Sequence, residues 1–191
     1  MKKLLLILPV LVSLSLFAQK KEGIHKGMVR VQGTVGLGVS KQELRYYVIG
    51  ELEGCVSDHV GINGTTYTNL GSDRSVFDIY AVKPKRDDYY VHSVLTGPIY
   101  HFVSNQPLDV YVGVQPGFSL TQLNYIDAAT HVRTEYGFSP TASALTGVAY
   151  YGSFFHLFAQ ARYVVTRHAS INYNLPLRDI RLAIGLGFNI N

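Results

Sequence analysis

Glu51 and Glu53 stand two residues apart, and an extended strand turns residues at that spacing to one face. Two carboxylates on one face are the raw material of general acid–base chemistry. They are equally what a buried arginine requires as a partner, and Arg30, Arg162 and Arg181 fall in a matching phase of their own segments. The expectation is an interior charge network of Arg30, Glu51, Glu53, Arg162 and Arg181, with Arg162 meeting one of the two glutamates. A gated ion path or a proton-sensitive switch is the sharper alternative for the same residues. His168 and Ser170 form a second pair with this spacing. A histidine beside a serine is the base and nucleophile of acyl transfer, provided that an acid orients the histidine. No glutamate follows Glu135, so Asp179 is the downstream acid. No catalytic residue is expected, with His168, Ser170 and Asp179 kept as the alternative.

Other chemistry is excluded quickly. The seven histidines show no metal-ligand spacing with Cys or Glu, so neither metal nor cofactor is expected. Gly33, Gly36 and Gly38 lie inside a continuing strand pattern rather than at a strand-to-helix turn, so they are not a dinucleotide fingerprint. Cys55, the one cysteine, has no intrachain disulfide partner and reads as a small packing residue. The formal charge of +4 includes Lys2 and Lys3, whose removal leaves +2. That balance, without a basic stripe, gives no nucleic-acid partner.

The elements that position these residues are strands. Lys2 and Lys3 precede an uncharged run from Leu4 to Phe17, shorter than the roughly 20 residues of a membrane-spanning helix. With Ala18 following, residues 1–18 read as a secretory signal cleaved after Ala18 or Gln19. Residues 19–27 read as a short periplasmic lead-in and 28–191 as the folded domain. From there period-two alternation dominates. Ile180, Leu182, Ile184, Leu186, Phe188 and Ile190 alternate with Arg181, Ala183, Gly185, Gly187, Asn189 and Asn191.

Eight such runs are read at 29–39, 44–56, 60–70, 91–103, 109–120, 141–151, 155–165 and 180–190, each near the 9–11 residues of a tilted spanning strand. Connections at 57–59, 104–108 and 152–154 are tight; those at 71–90, 121–140 and 166–179 are long. The connection at 40–43 is short although it falls on the long side. Residues 76–81 and 132–138 still alternate weakly, as strands extended into hairpins would. Within the eight runs the charged residues are Arg30, Arg45, Glu51, Glu53, Asp109, Arg162 and Arg181. All lie in the phase opposite the apolar face. Arginine or lysine facing lipid near the midplane would cost about 2–4 kcal/mol, whereas a closed tube hides such groups. Charged residues make up 16% of the chain, against about 25% in ordinary soluble domains. Tyr46, Phe118, Tyr150, Tyr163 and Phe188 lie near strand ends in or near the outward phase and read as membrane-interface aromatics. A two-sheet sandwich is the alternative fold.

The terminal strand from Leu182 to Phe188, the hairpin from Glu51 to Val60 and the segment from Tyr111 to Gly117 resemble the small outer-membrane barrels of the OmpA, OmpX and opacity-protein type. The resemblance covers nearly all of 28–191. It implies an all-β, eight-stranded antiparallel up-and-down transmembrane barrel, inserted by the outer-membrane assembly machinery of a Gram-negative bacterium. It implies contact with outer-membrane lipid and lipopolysaccharide. The His168-x-Ser170 element also resembles that of lipid A deacylases. The expected function is structural or surface-interacting and non-catalytic, with loops around 73–88, 124–135 and 167–178 offered to an extracellular partner. A lipid-modifying enzyme and a narrow channel are the alternatives.

Overall fold

Alternating side chains give each strand two unlike faces, and such faces are satisfied together only if the sheet separates two environments. In the computed structural model, which describes residues 23–40, 44–73, 88–126, 132–152, 154–171 and 174–190, eight strands do so. They are β1 Val29–Val39, β2 Leu44–Cys55, β3 Val60–Asp73, β4 Asp88–His101, β5 Leu108–Ile126, β6 Val132–Tyr151, β7 Phe155–Ala169 and β8 Asn174–Ile190. Each pairs antiparallel with the next, and β1 closes the circle on β8 from Val29↔Ile190 to Val39↔Ile180. Closure removes the two free edges that an open sheet would have and excludes a sandwich of two sheets. The expected signal at 1–18, the lead-in as far as 22, the weakly alternating 76–81 and positions 41–43 lie outside the described residues.

The seven charges of the expected runs, Arg30, Arg45, Glu51, Glu53, Asp109, Arg162 and Arg181, are all buried inside the tube. The apolar rows face outward: Val35, Val94, Val114 and Ile184 are each more than half exposed. Such exposure would be costly in water and is the natural state of a surface against hydrocarbon.

The strands are longer than alternation over 9–11 residues suggested. Much of the expected loop at 121–140 is ladder, unbroken from Leu108↔Tyr150 to Ile126↔Val132. The expected loop at 166–179 is largely β7 and β8, paired as far as Ala169↔Asn174. β3 reaches Asp73 and β4 begins at Asp88. A ladder needs its backbone partners rather than hydrocarbon, so it continues past the apolar band with mixed side chains. The connections at 56–59, 102–107 and 152–154 define the turn end, where Asn105 takes the left-handed backbone (φ 55°) that asparagine tolerates. The opposite end is the far end.

Before β1 the chain folds into the mouth at the turn end. Gly27 N donates to Cys55 O at 2.8 Å, Cys55 N to Met28 O at 2.9 Å, and Asn105 N to Ile24 O at 3.1 Å. Ile24 and Met28 are thereby buried, forming an apolar stopper.

One seam is unusually close. Between Leu95↔Gly117 and Ile99↔Gly113 the β4–β5 ladder is interrupted beside Pro98 and Pro116, neither of which has an N–H to donate. There the backbones press together, so that a Cβ on Gly117 would meet the Val94 carbonyl and stand 2.8 Å from Leu95 Cα. Gly117→Ala must push apart strands that a closed tube holds together. It is expected to destabilise the barrel by about 1–3 kcal/mol, read as a lower temperature for loss of the compact band in gel migration from detergent.

Candidate functional site

The lumen is built from the inward residues of all eight strands, and its polar groups occur in tiers. Nearest the turn end, Glu53 on β2 lies 3.5 Å from Arg30 on β1, and Arg30 donates to the Tyr151 hydroxyl at 2.5 Å. His101 stands between two carboxylates, Nε2 at 2.7 Å from Glu53 and Nδ1 at 2.6 Å from Asp109. His156 Nδ1 lies 2.6 Å from Asn189 Oδ1.

The middle tier centres on Arg162 of β7. Its guanidinium donates to Glu51 at 3.1 Å, to the Thr65 hydroxyl at 3.2 Å, to the Ser143 hydroxyl at 3.2 Å, and to the Gln115 carbonyl oxygen. Gln160 donates to the same Glu51 oxygen at 2.6 Å, and Gln115 donates to Asn63 at 2.6 Å. Arg162 is 1% exposed, so each of these contacts replaces a hydrogen bond to water that burial removes.

Above it, Arg181 Nε donates to both Asp179 oxygens at 3.2 Å, the Tyr47 hydroxyl donates to Asp179 at 2.7 Å, and Arg45 lies 3.9 Å away. Nearer the far end, hydroxyls link four strands: Ser93 to Ser119 at 2.8 Å, Ser119 to Thr141 at 2.6 Å, and Thr141 to Thr166 at 2.8 Å.

The five residues read as an interior network therefore divide among tiers: Arg30 with Glu53, Arg162 with Glu51, and Arg181 with Asp179. Asp179, considered in the sequence only as an orienter for His168, is instead the anion of the third tier. His168 turns inward, its Nδ1 2.7 Å from the Thr121 hydroxyl, and Ser170 donates to Glu135 at 2.5 Å. His168, Ser170 and Asp179 do not assemble as base, nucleophile and orienter. His101 and Asp109 complete the first tier and were not read as part of the network, although both lie in the inward phase. So do the inward tyrosines. Arg181 lies over Tyr47 and Tyr67, with its carbon 4.3 and 4.7 Å from the ring centres, and Arg30 over Tyr111 at 5.3 Å. Each ring offers its negative face to a cation that one carboxylate does not fully surround.

Tyr46, Phe118, Tyr150, Tyr163 and Phe188 are all exposed on the outer wall. Tyr150 and Phe188 lie near the turn end, where Phe188 packs on Phe154 at 5.5 Å. Phe118 stacks on Phe138 at 5.2 Å toward the far end.

An inward-charged, outward-apolar tube of eight antiparallel strands is the architecture of the small outer-membrane β-barrels, and that is the fold of this chain. The solved structures it resembles agree. The outer membrane protein OprG from Pseudomonas aeruginosa aligns with a TM-score of 0.60 at 10% identity, covering 90% of this chain and 100% of that one. Neisserial surface protein A aligns at 0.54 and 19% identity, over 84% and 95%. Ail, the attachment invasion locus protein of Yersinia pestis, aligns at 0.51 and 12% identity, over 86% and 99%. No family model and no curated protein matches the sequence.

Arg162 and Glu51 offer a direct test of the middle tier. Arg162→Met leaves the Glu51 carboxylate buried with Gln160 as its donor among the described residues, and is expected to cost about 3–5 kcal/mol. Adding Glu51→Gln should recover some of that loss, because the two sites are coupled. Urea unfolding of the barrel in detergent micelles reads both values; strictly additive losses would mean that the pair does not interact.

Proposed function

We propose that the chain is an integral outer-membrane protein with a structural and surface-interaction role and no catalytic step. The observation that carries this reading is the segregation of charge: every ionised side chain of the expected spanning runs lies inside, and the outer wall is apolar with exposed aromatic rings toward both ends. That surface suits a bilayer core, and it suits nothing in water. Delivery follows from the signal read at 1–18 and insertion from the outer-membrane assembly machinery.

The interior favours a scaffold over a pore. Side chains from facing strands meet across the lumen, as Arg162 of β7 does with Glu51 of β2, and a tube of eight strands has room for little else. The dispersal of His168, Ser170 and Asp179 among Thr121, Glu135 and Arg181 favours a non-enzymatic role over lipid A deacylation. What is left to recognise a partner is the far end, where connections on a rigid frame commonly carry binding. The name of one neighbour, an attachment invasion locus protein, is in keeping with such a role.

Two measurements test the reading. Membrane-extracted protein should migrate faster on gels unheated than boiled, and protease added to intact cells should cut it within 74–87 or 127–131. Migration that heat does not change, or cleavage confined to the 56–59 turn, would overturn the barrel or its orientation. Deleting 74–87 together with 127–131 should leave the heat-sensitive band and abolish cell or matrix attachment; unchanged attachment would remove the surface-interaction role.

A further inference from the structure

Most arginines on these strands point inward and meet a carboxylate. Arg167 on β7 and Arg178 on β8 do neither. Both lie in the outward phase and are exposed, and among the described residues no ion pair holds either one. Their placement is specific. Arg178 lies opposite Val165 and Arg167 opposite Pro176, so the two arginines are diagonal neighbours across one ladder, roughly 7–8 Å apart at the backbone. Two like charges set side by side on one face repel one another. The arrangement is relieved when one anion bridges them.

The surroundings show where that anion must come from. From Phe155 to Arg167 the strand climbs about 30 Å at roughly 3.3 Å per residue and a tilt of about 40°. An apolar band about 25 Å tall therefore ends just below the arginine pair, with Tyr163 and Val165 at its upper edge. The β6–β7 ladder stops at Ala142↔Val165; the next outward residue of β6 is Pro140, which has no N–H to offer. A notch of about 290 Å³ opens there, lined by Pro140, Val165, Thr166, Arg167, Pro176 and Arg178. It is apolar toward the bilayer and cationic at its rim.

We propose that this notch is a docking site for the phosphate of an outer-leaflet glycolipid, the phosphorylated glucosamine headgroup of lipopolysaccharide. The two guanidinium groups take the phosphate oxygens through paired N–H donors, a geometry in which arginine excels. The prolines and Val165 pack against the sugar and the first acyl carbons. The charge, the height and the apolar floor together fit an amphiphile with its anion at the membrane boundary, and they fit a freely dissolved phosphate less well. The inference rests on the outer-membrane reading, since a far end outside that leaflet would never meet the ligand.

The test uses the whole barrel in phosphatidylcholine vesicles containing bisphosphorylated lipid A, dephosphorylated lipid A or neither, after heat-sensitive migration has verified folding. Wild type should bind the phosphorylated lipid saturably. Arg167→Gln with Arg178→Gln should weaken it about tenfold or more, and Arg167→Lys with Arg178→Lys should retain some of the affinity through charge alone. Dephosphorylated lipid A should not distinguish the variants. Equal binding by wild type and the glutamine variant, or equal binding of both lipids by wild type, would overturn the site. Full competition by millimolar inorganic phosphate would overturn the lipid assignment. A chain that never shows heat-sensitive migration would instead bring down the barrel reading itself.

Discussion

A tube of eight strands is too narrow to keep its polar groups in water, yet its outer wall has no use for charge. Every ionised residue within the apolar band must therefore find its counterion inside, on its own strand, on the next one or across the lumen. This necessity organises the interior into tiers: Arg30 with Glu53, Arg162 with Glu51, Arg181 with Asp179. A slip of one residue in β1, β2, β5, β7 or β8 would turn that strand's charge into hydrocarbon and its apolar row into the lumen. The ion pairs and the apolar wall thus specify the same register from opposite sides.

Much of this is written in the period of the chain. The alternation of Ile180 through Ile190 marks a strand with two unlike faces, and the single phase shared by Arg30, Glu51 and Arg162 marks which face is closed. Partner choice is not written there. Whether Arg162 of β7 meets Glu51 or Glu53 of β2 depends on how far each strand is staggered around the cylinder, a quantity that periodicity does not contain. The strand lengths were hidden for a related reason. Alternation weakens once β5, β6, β7 and β8 leave the apolar band, because side chains bathed in water need no period, while the backbone pairing runs on. The inward tyrosines Tyr47, Tyr67 and Tyr111 were obscured by their kind: tyrosine is common in membrane girdles, so only its phase separates a lining ring from a boundary ring.

The two ends of the barrel differ in chemistry. At the turn end, carboxylates, a histidine and an arginine crowd beneath an apolar cover. Toward the far end the lining changes to hydroxyls, Ser93, Ser119, Thr141 and Thr166, which satisfy one another without net charge. The outside follows another order, with the exposed arginines of the described strands gathered near the far rim. Charge is thus concentrated where it is neutralised or where a membrane boundary supplies an anion.

The stopper formed by Ile24 and Met28 bears on the order of assembly. Its backbone partners are Cys55 at the end of β2, brought close by the β1–β2 hairpin, and Asn105 in the turn between β4 and β5, brought close only as the sheet curls. The contacts with Cys55 can therefore form with the first hairpin, whereas the Ile24–Asn105 contact waits until the sheet has curled, although residues 23–28 are the first of the described chain to be synthesised. Until that moment the mouth at the turn end stays unsealed, and the polar groups behind it remain within reach of water while they find their partners.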